Sequence, residues 1–353
     1  MNRFIYDSLA TRVIFGVGSL DSLPEEVSRL GSKALVLCTP YQRDQVEEVA
    51  KTLGTLAVGF YDKAAMHVPI ETAQDARKEA DRVGADVYVT VGGGSTTGLG
   101  KAIALQFGCP IVSVPTTYAG SEMTPIWGLT EGGIKKTGRD KKVLPRTVIY
   151  DPTLTTSLPA NLSATSAMNA IAHSVEALYA RDRNPIINII AEESIRALAQ
   201  SLPKIMQAPK DLDARSEALY GAWLAGMSLG SVGMALHLKL CHTLGGSFNL
   251  PHSEVHTVII PHATAYNSSA APEAMKCIAR ALGQPEAADG LFQLENTLGT
   301  PTKLSEIGMR YEDLDLAADL ASKNPYYDPR PITREGIRAL LEAAFYGSPP
   351  GTT

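Results

Sequence analysis

The chain has 353 residues, with 32 lysines and arginines against 37 aspartates and glutamates, a net charge of −5, and 44% hydrophobic residues. That length passes the size at which a single core keeps growing, so two domains are expected. The composition excludes a disordered chain, the acidic balance excludes a nucleic-acid partner, and no apolar run approaches the roughly 20 residues of a membrane span.

The first residues, RFIYDSLATRVIFG (3–16), read as an amphipathic strand and lack the apolar core of a signal peptide. KALVLCT (33–39), ADVYVTVGG (85–93), CPIVSVPTT (109–117) and RTVIYDP (146–152) read as further strands. Helical stretches such as RDQVEEVAKTL (43–53) and IETAQDARKEADRVG (70–84) alternate with them. Strand, helix, strand in this rhythm implies a parallel sheet covered on both faces. From LPANLSATSAMNAIAH onward the periodicity is helical, broken by turns such as APKDL, LGGSFNLPH and NPYYDPRP. The expected organisation is an α/β domain over 1–155 and an all-helical domain over 156–353. Cys38, Cys109, Cys241 and Cys277 are far apart and show no CxxC spacing, the pattern of reduced thiols in a cytoplasmic protein.

VTVGGGSTTGLGKAIAL (89–105) follows a strand and opens a helix. Gly92, Gly93 and Gly94 in that place serve either a tight turn or the close approach of a phosphate to backbone N–H groups. Ser95 and Lys101 add polar groups. PTTYAGSEMT (115–124) closes the next strand with Thr116 and Thr117, which either cap their own backbone or contact a nucleotide. Two such turns on successive strands point to a dinucleotide. The first strand end, Thr39-Pro40, carries no acid that would repel a 2′-phosphate, so both NADH and NADPH are expected. Lys136 completes the expected cofactor set as a further cation.

In SAMNAIAHSVEALYA (166–180), Asn169, His173 and Glu176 share one face of a helix. His67 stands apart. His237, His242, His252, His256 and His262 all fall in GMALHLKLCHTLGGSFNLPHSEVHTVIIPH. Histidine is the usual general acid near neutral pH and a common metal ligand, yet some of this band is expected to be structural, His262 first.

Together, VGGGSTTGLGKAIA, PTTYAGSE, VIYDP, MNAIAHSVEALYA and CHTLGGSFNLPHSEVHTVIIPH resemble the iron-containing alcohol dehydrogenase family, from about residue 12 to 331. The resemblance implies a dinucleotide-binding N-terminal domain, a helical C-terminal domain, a site in the cleft between them, and a homodimer in which the first strand pairs with its copy. It also implies a metal held by an aspartate, a histidine four residues later and two further histidines. Here the aspartate position is Asn169, and the position four residues before His242 is Leu238. His173 and His252 match the remaining two. A neutral amide poorly replaces a carboxylate, and leucine donates nothing.

Within that family, HLKLCHTLGGSFNLPHSEVH, PTTYAGSE and MNAIAH most resemble the members that reduce a carbon–carbon double bond of a small dicarboxylate; the resemblance implies that reaction, with NADH or NADPH, and the missing ligands imply no required metal. The alternative is a metal-dependent alcohol or hydroxy-acid dehydrogenase that recruits His237 or His256. His173, His242 and His252 are the expected catalytic residues, without a choice of proton donor among them. Asn169, Lys239, Tyr118 and Tyr326 are the expected substrate contacts, Lys239 having a solvated helix lysine as its alternative reading.

Overall fold

The computed structural model describes residues 4, 6–132, 134–323 and 325–351. It divides into two compact units, one spanning Ser8–Leu158, the other Pro159–Thr353 together with the segment up to Asp7. The break falls at Leu158/Pro159, three residues past 155: the Asp151 carboxylate, which caps Thr153 and takes the Leu20 amide, holds the turn Pro152–Thr155 to the sheet, and the Thr156 and Leu158 amides bond back to the Thr153 and Thr155 carbonyls at 3.3 and 3.0 Å.

The first unit runs β1 (Arg12–Phe15), α1 (Leu23–Ser28), β2 (Ala34–Leu37), α2 (Arg43–Leu53), β3 (Ala57–Tyr61), α3 (Ile70–Val83), β4 (Val87–Gly92), α4 (Gly94–Phe107), β5 (Ile111–Pro115), β6 (Ile126–Glu131), β7 (Ile134–Arg139) and β8 (Thr147–Tyr150). Six strands form one parallel sheet in the order β1-β8-β5-β4-β2-β3, while β6 and β7 form a separate antiparallel hairpin. The period-2 alternation of a strand decides which helix each side chain meets. Ala34, Val36 and Cys38 pack with Val89, Val91, Val112 and Val114 under α1 and α2. Leu35, Leu37, Tyr88 and Ile111 face α3 and α4 on the other side.

One expectation changes here. The N-terminal strand is confined to Arg12–Phe15, residues 6–11 carrying no strand; it pairs with β8 on one side and forms an edge of the sheet. Arg3 and Ile5, part of the expected strand, lie outside the described residues. The hairpin β6–β7 and the edge strand β3, whose AVGFY is short and glycine-bearing, were not signalled by composition.

The second unit is built from α5 (Ala160–Tyr179), α6 (Pro185–Gln207), α7 (Leu212–Ser231), α8 (Leu236–Phe248), α9 (His252–Asn267), α10 (Pro272–Leu282), α11 (Ala287–Leu298), α12 (Leu314–Ser322) and α13 (Arg334–Tyr346). From Ser163 to Tyr179, α5 is buried nearly all round and packs against α6, α7 and α9. Small side chains permit this. A Cβ on Gly221 would lie 2.7 Å from Leu198, so α6 and α7 approach closely. The Ser194 hydroxyl bonds both Ser174 and the Gly221 carbonyl at 2.8 Å, tying the three helices together inside an apolar core. The expected turn LGGSFNLPH is shorter than its glycines suggest. Gly245 and Gly246 remain in α8, and the chain reverses only at Asn249, whose φ of 54° is the left-handed cap conformation. Among the described residues no single helix is long and apolar enough to cross a membrane.

Candidate active site

In the α/β unit the chain leaves β2 for β3 on one side, then returns past β2 to β4 on the other. Ligands of open α/β sheets bind at the strand ends where the order reverses in this way. The glycine loop stands at that point. Gly92 has φ 150°, and a Cβ there would lie 2.5 Å from Thr96 Oγ1, while one on Gly93 would lie 2.9 Å from Thr117 Oγ1. Backbone and contact together call for glycine at 92, and Gly93 leaves room for the Thr117 side chain. No side chain caps the first turn of α4, so its amides and the helix's partial positive charge face the crest of the loop. Thr96 Oγ1 is buried there with no partner. The cradle fits the diphosphate of a dinucleotide, with Gly94 and Ser95 half-buried at its rim.

One member of this site escaped the sequence reading. Gln42 Nε2 donates to Thr116 Oγ1 at 2.8 Å, and Thr39 Oγ1 donates to Gln42 Oε1 at 3.1 Å. The amide therefore links the turns after β2 and β5 across the crest of the glycine loop. Nothing local in PYQRD marks it, since its partner is 74 residues away.

Three expected ligands are used otherwise. The Lys101 ammonium is fully buried and donates to the Ser121 carbonyl at 2.6 Å, the Thr124 hydroxyl at 2.9 Å and the Ile126 carbonyl at 2.9 Å. Burial lowers its pKa to about 7, opposed by the nearby Glu122 carboxyl. Lys101 thus holds the loop that follows Thr116 and Thr117 and offers no charge to a cofactor. Lys136, exposed on β7, pairs with Glu131 at 2.7 Å. Tyr118 is fully buried within the α/β unit and presents no surface to a substrate.

In the helical unit, α5 carries Asn169, His173 and Glu176 inward. Asn169 Oδ1 and His173 Nδ1 are buried without partners. Unsatisfied polar atoms of this kind ask for a ligand or water. The first turns of α9 place His252 and His256 on one face. The His256 ring lies 4.5 Å from that of His252, 4.9 Å from His237 and 5.5 Å from His173, centroid to centroid. Apart from these, His242 Nδ1 lies 3.1 Å from the Tyr326 hydroxyl, and the Lys239 ammonium stands 5.7 Å from the centre of the same ring. The structure so groups Lys239, His242 and Tyr326, and separately gathers His173 and His252 around His256.

Burial decides the charge of most of these imidazoles. It lowers His173 to about 4 and His262 to about 4, and drives His237 and His256 well below the usual range, helped by repulsion from neighbouring imidazoles. His262 is buried, as expected of a structural residue.

The four positions that resemble a metal site do not fit a divalent ion. Two imidazoles remain, Asn169 brings no charge, and Leu238 brings no donor atom. His237, Cys241 and His256 form another compact donor group, within 4.8 Å. Their geometry is that of a hydrogen-bonded set. His237 Nε2 and His256 Nδ1 are 2.9 Å apart, a spacing that places a proton between the two lone pairs a metal would use. Cys241 Sγ adds a contact to the same His237 nitrogen at 3.4 Å.

Glu176 has a role its helix position did not announce. Its carboxylate accepts from the amides of Ala235, His237 and Leu238 at 3.0, 2.7 and 3.3 Å, so it caps α8 from another helix. Burial still pushes it up to about 8 against those donors. Asp328, beside it, takes the Leu236 amide at 3.3 Å and the Asn267 side-chain amide at 2.9 Å. These two carboxyls fix the start of α8 and the loop bearing Tyr326. We predict that Glu176→Ala, which strands the buried amides of Ala235 and His237 and the part-buried amide of Leu238, costs about 3 kcal/mol of stability, read from the midpoint of denaturant unfolding. Wild-type stability in that variant would refute the capping role.

A glycine loop at a sheet switch point, in a chain whose second unit gathers imidazoles, an amide and a lysine, suits an oxidoreductase. The chain belongs to the iron-containing alcohol dehydrogenase family. The model for iron-containing alcohol dehydrogenase matches residues 10–152, and that for the C-terminal part of the Fe-containing alcohol dehydrogenase family matches 163–345. A maleylacetate reductase of Burkholderia cepacia is 58% identical, over 99% of this chain and 100% of its own. Among solved structures, maleylacetate reductase from Agrobacterium tumefaciens is 51% identical with a TM-score of 0.96, covering 99% of this chain and 100% of that one. A candidate alcohol dehydrogenase from Ralstonia eutropha JMP134 is 61% identical with a TM-score of 0.98 over the same shares.

Proposed function

We propose that the enzyme reduces the carbon–carbon double bond of 2-maleylacetate to give 3-oxoadipate, with NADH or NADPH and without a required metal. The observation that carries this reading is the donor set around Asn169 and His173. It is polar and buried, it lacks half of the expected metal ligands, and relatives with this overall sequence are maleylacetate reductases. When bound, the reduced nicotinamide supplies the hydride, which adds to the alkene carbon β to the ketone. The charge spreads into an enolate, and a proton on the carbon α to the ketone completes the reduction. An enolate oxygen is held well by hydrogen-bond donors, each contributing on the order of 3 kcal/mol.

Asn169 and His173 supply such donors, and His252 stands beside them through His256. Lys239 is the cation for one substrate carboxylate. His242 is the proton donor in this reading. It is half-buried, and Tyr326 orients its ring, whereas burial keeps His173, His237 and His256 neutral.

The test is NADH oxidation with maleylacetate, set against simple aldehydes and ketones, before and after exhaustive chelation. Turnover of maleylacetate that survives chelation is the expected result. Reduction of aldehydes alone, or loss of activity with the metal, would return the assignment to a metal-dependent alcohol or hydroxy-acid dehydrogenase.

A further inference from the structure

We propose that Arg43 and Asp62 select NADH over NADPH at the 2′ position of the adenosine ribose. The inference rests on the dinucleotide reading of the glycine loop and narrows it. With the diphosphate on the first turn of α4, the adenosine extends over the neighbouring strand ends, β2 and then β3. Thr39, at the tip of β2, is already tied to the site through Gln42 and Thr116. The tip of β2 lacks an acid, but the tip of β3 supplies one.

Asp62 immediately follows β3, and the backbone fixes it there. The Cys38 amide donates to the Tyr61 carbonyl and the Ala64 amide donates to the Cys38 carbonyl, both at 3.0 Å, bracketing Asp62 against the end of β2. Farther along the same loop, Val68 holds φ 49°, a strained position for a β-branched residue, with its carbonyl bound by the Thr130 amide at 3.0 Å. The segment is therefore a set wall of the site.

Arg43 opens α2 and reaches the same place. Its Nε donates to Glu47 at 2.7 Å, an Nη donates to Asp62 at 2.6 Å, and its guanidinium lies 5.6 Å from the centre of the Phe60 ring. An arginine near the 2′ position accepts a phosphate when its fork is unoccupied. Here Glu47 holds Nε and Asp62 holds one Nη, and the two carboxylates leave the trio net negative. A 2′-hydroxyl can donate to Asp62, whereas a 2′-phosphate meets the net negative charge of the trio. Discrimination built from a repulsive element needs no new attractive contact.

The test is equilibrium binding of NADH and NADPH in the absence of substrate, followed by nicotinamide fluorescence, for wild type, Asp62→Asn and Asp62→Asn/Arg43→Ala. Asp62→Asn should tighten NADPH by about tenfold and weaken NADH several-fold, since the 2′-hydroxyl loses a carboxylate acceptor. The double variant should lose the gain, which shows that it runs through the released Arg43. 2′,5′-ADP, a probe without nicotinamide, should report the same order. An unchanged NADPH-to-NADH ratio in Asp62→Asn, or a gain that persists without Arg43, overturns the proposal. Failure of wild type to bind either cofactor would instead remove the dinucleotide reading on which it stands.

Discussion

Replacing His242 by asparagine should lower kcat for maleylacetate by about a hundred- to ten-thousand-fold, the range for loss of a positioned general acid. The expectation follows from where the imidazoles sit. His173 and His256 are enclosed, and burial holds them in the neutral form, in which an imidazole is a hydrogen-bond donor and a poor source of protons. His242 lies on the opposite, half-buried side of α8 from the enclosed His237, with Tyr326 against Nδ1. Asparagine keeps a polar side chain of modest size, so α8 and its Glu176 cap should persist. NADH affinity should stay within about twofold of wild type, because the change removes a proton and no cofactor contact. Tyr326→Phe should fall in between, since it releases the ring without removing it. Wild-type kcat in His242→Asn would transfer the role to His252.

The double substitution Asn169→Asp/Leu238→His should create a divalent-metal site, tightening Zn²⁺ or Fe²⁺ by about a thousandfold over wild type. Asn169 and His173 are one helical turn apart on α5, so a carboxylate at 169 would stand beside an imidazole on the same helix face. Position 238 lies one turn before His242 on α8. A histidine there would bring the total to three imidazoles and one carboxylate, a sufficient set for a tetrahedral ion. His173 Nδ1 and the oxygen at position 169 are unpartnered, so the ion would not have to displace a hydrogen bond at either. Equilibrium dialysis with elemental analysis measures the change. The same variant should lose maleylacetate turnover, as the donors to the enolate become ligands. Wild type binding metal as tightly as the double variant would defeat the reading of a depleted site.

Much of this was legible along the chain. The helices Arg43–Leu53 and Ile70–Val83 and the strands at 34–37, 87–92, 111–115 and 147–150 follow from periodicity, because each buries one face or is buried on both. The glycine loop was legible because close approach and φ of 150° leave glycine little competition. The gaps at Asn169 and Leu238 were legible because donor atoms are a property of residue type. By contrast, Lys101 and Tyr118 were placed as ligands from their position beside a motif. Whether a side chain beside a loop faces the loop or the core depends on packing against elements far away, here the Ser121–Ile126 segment for Lys101.

The sequence by itself determined the class of fold, the glycine loop after β4 and the residue types at 169 and 238, since each rests on local pattern or on the chemistry of a residue type. Only the tertiary structure decided which imidazoles are neutral, that Glu176 caps a helix 59 residues away, that Gln42 bridges two strand ends, and that Asp62 holds Arg43. Those facts depend on burial and on contacts between distant segments. Desolvation and hydrogen bonding act through space, and the order of residues along the chain does not encode that space locally.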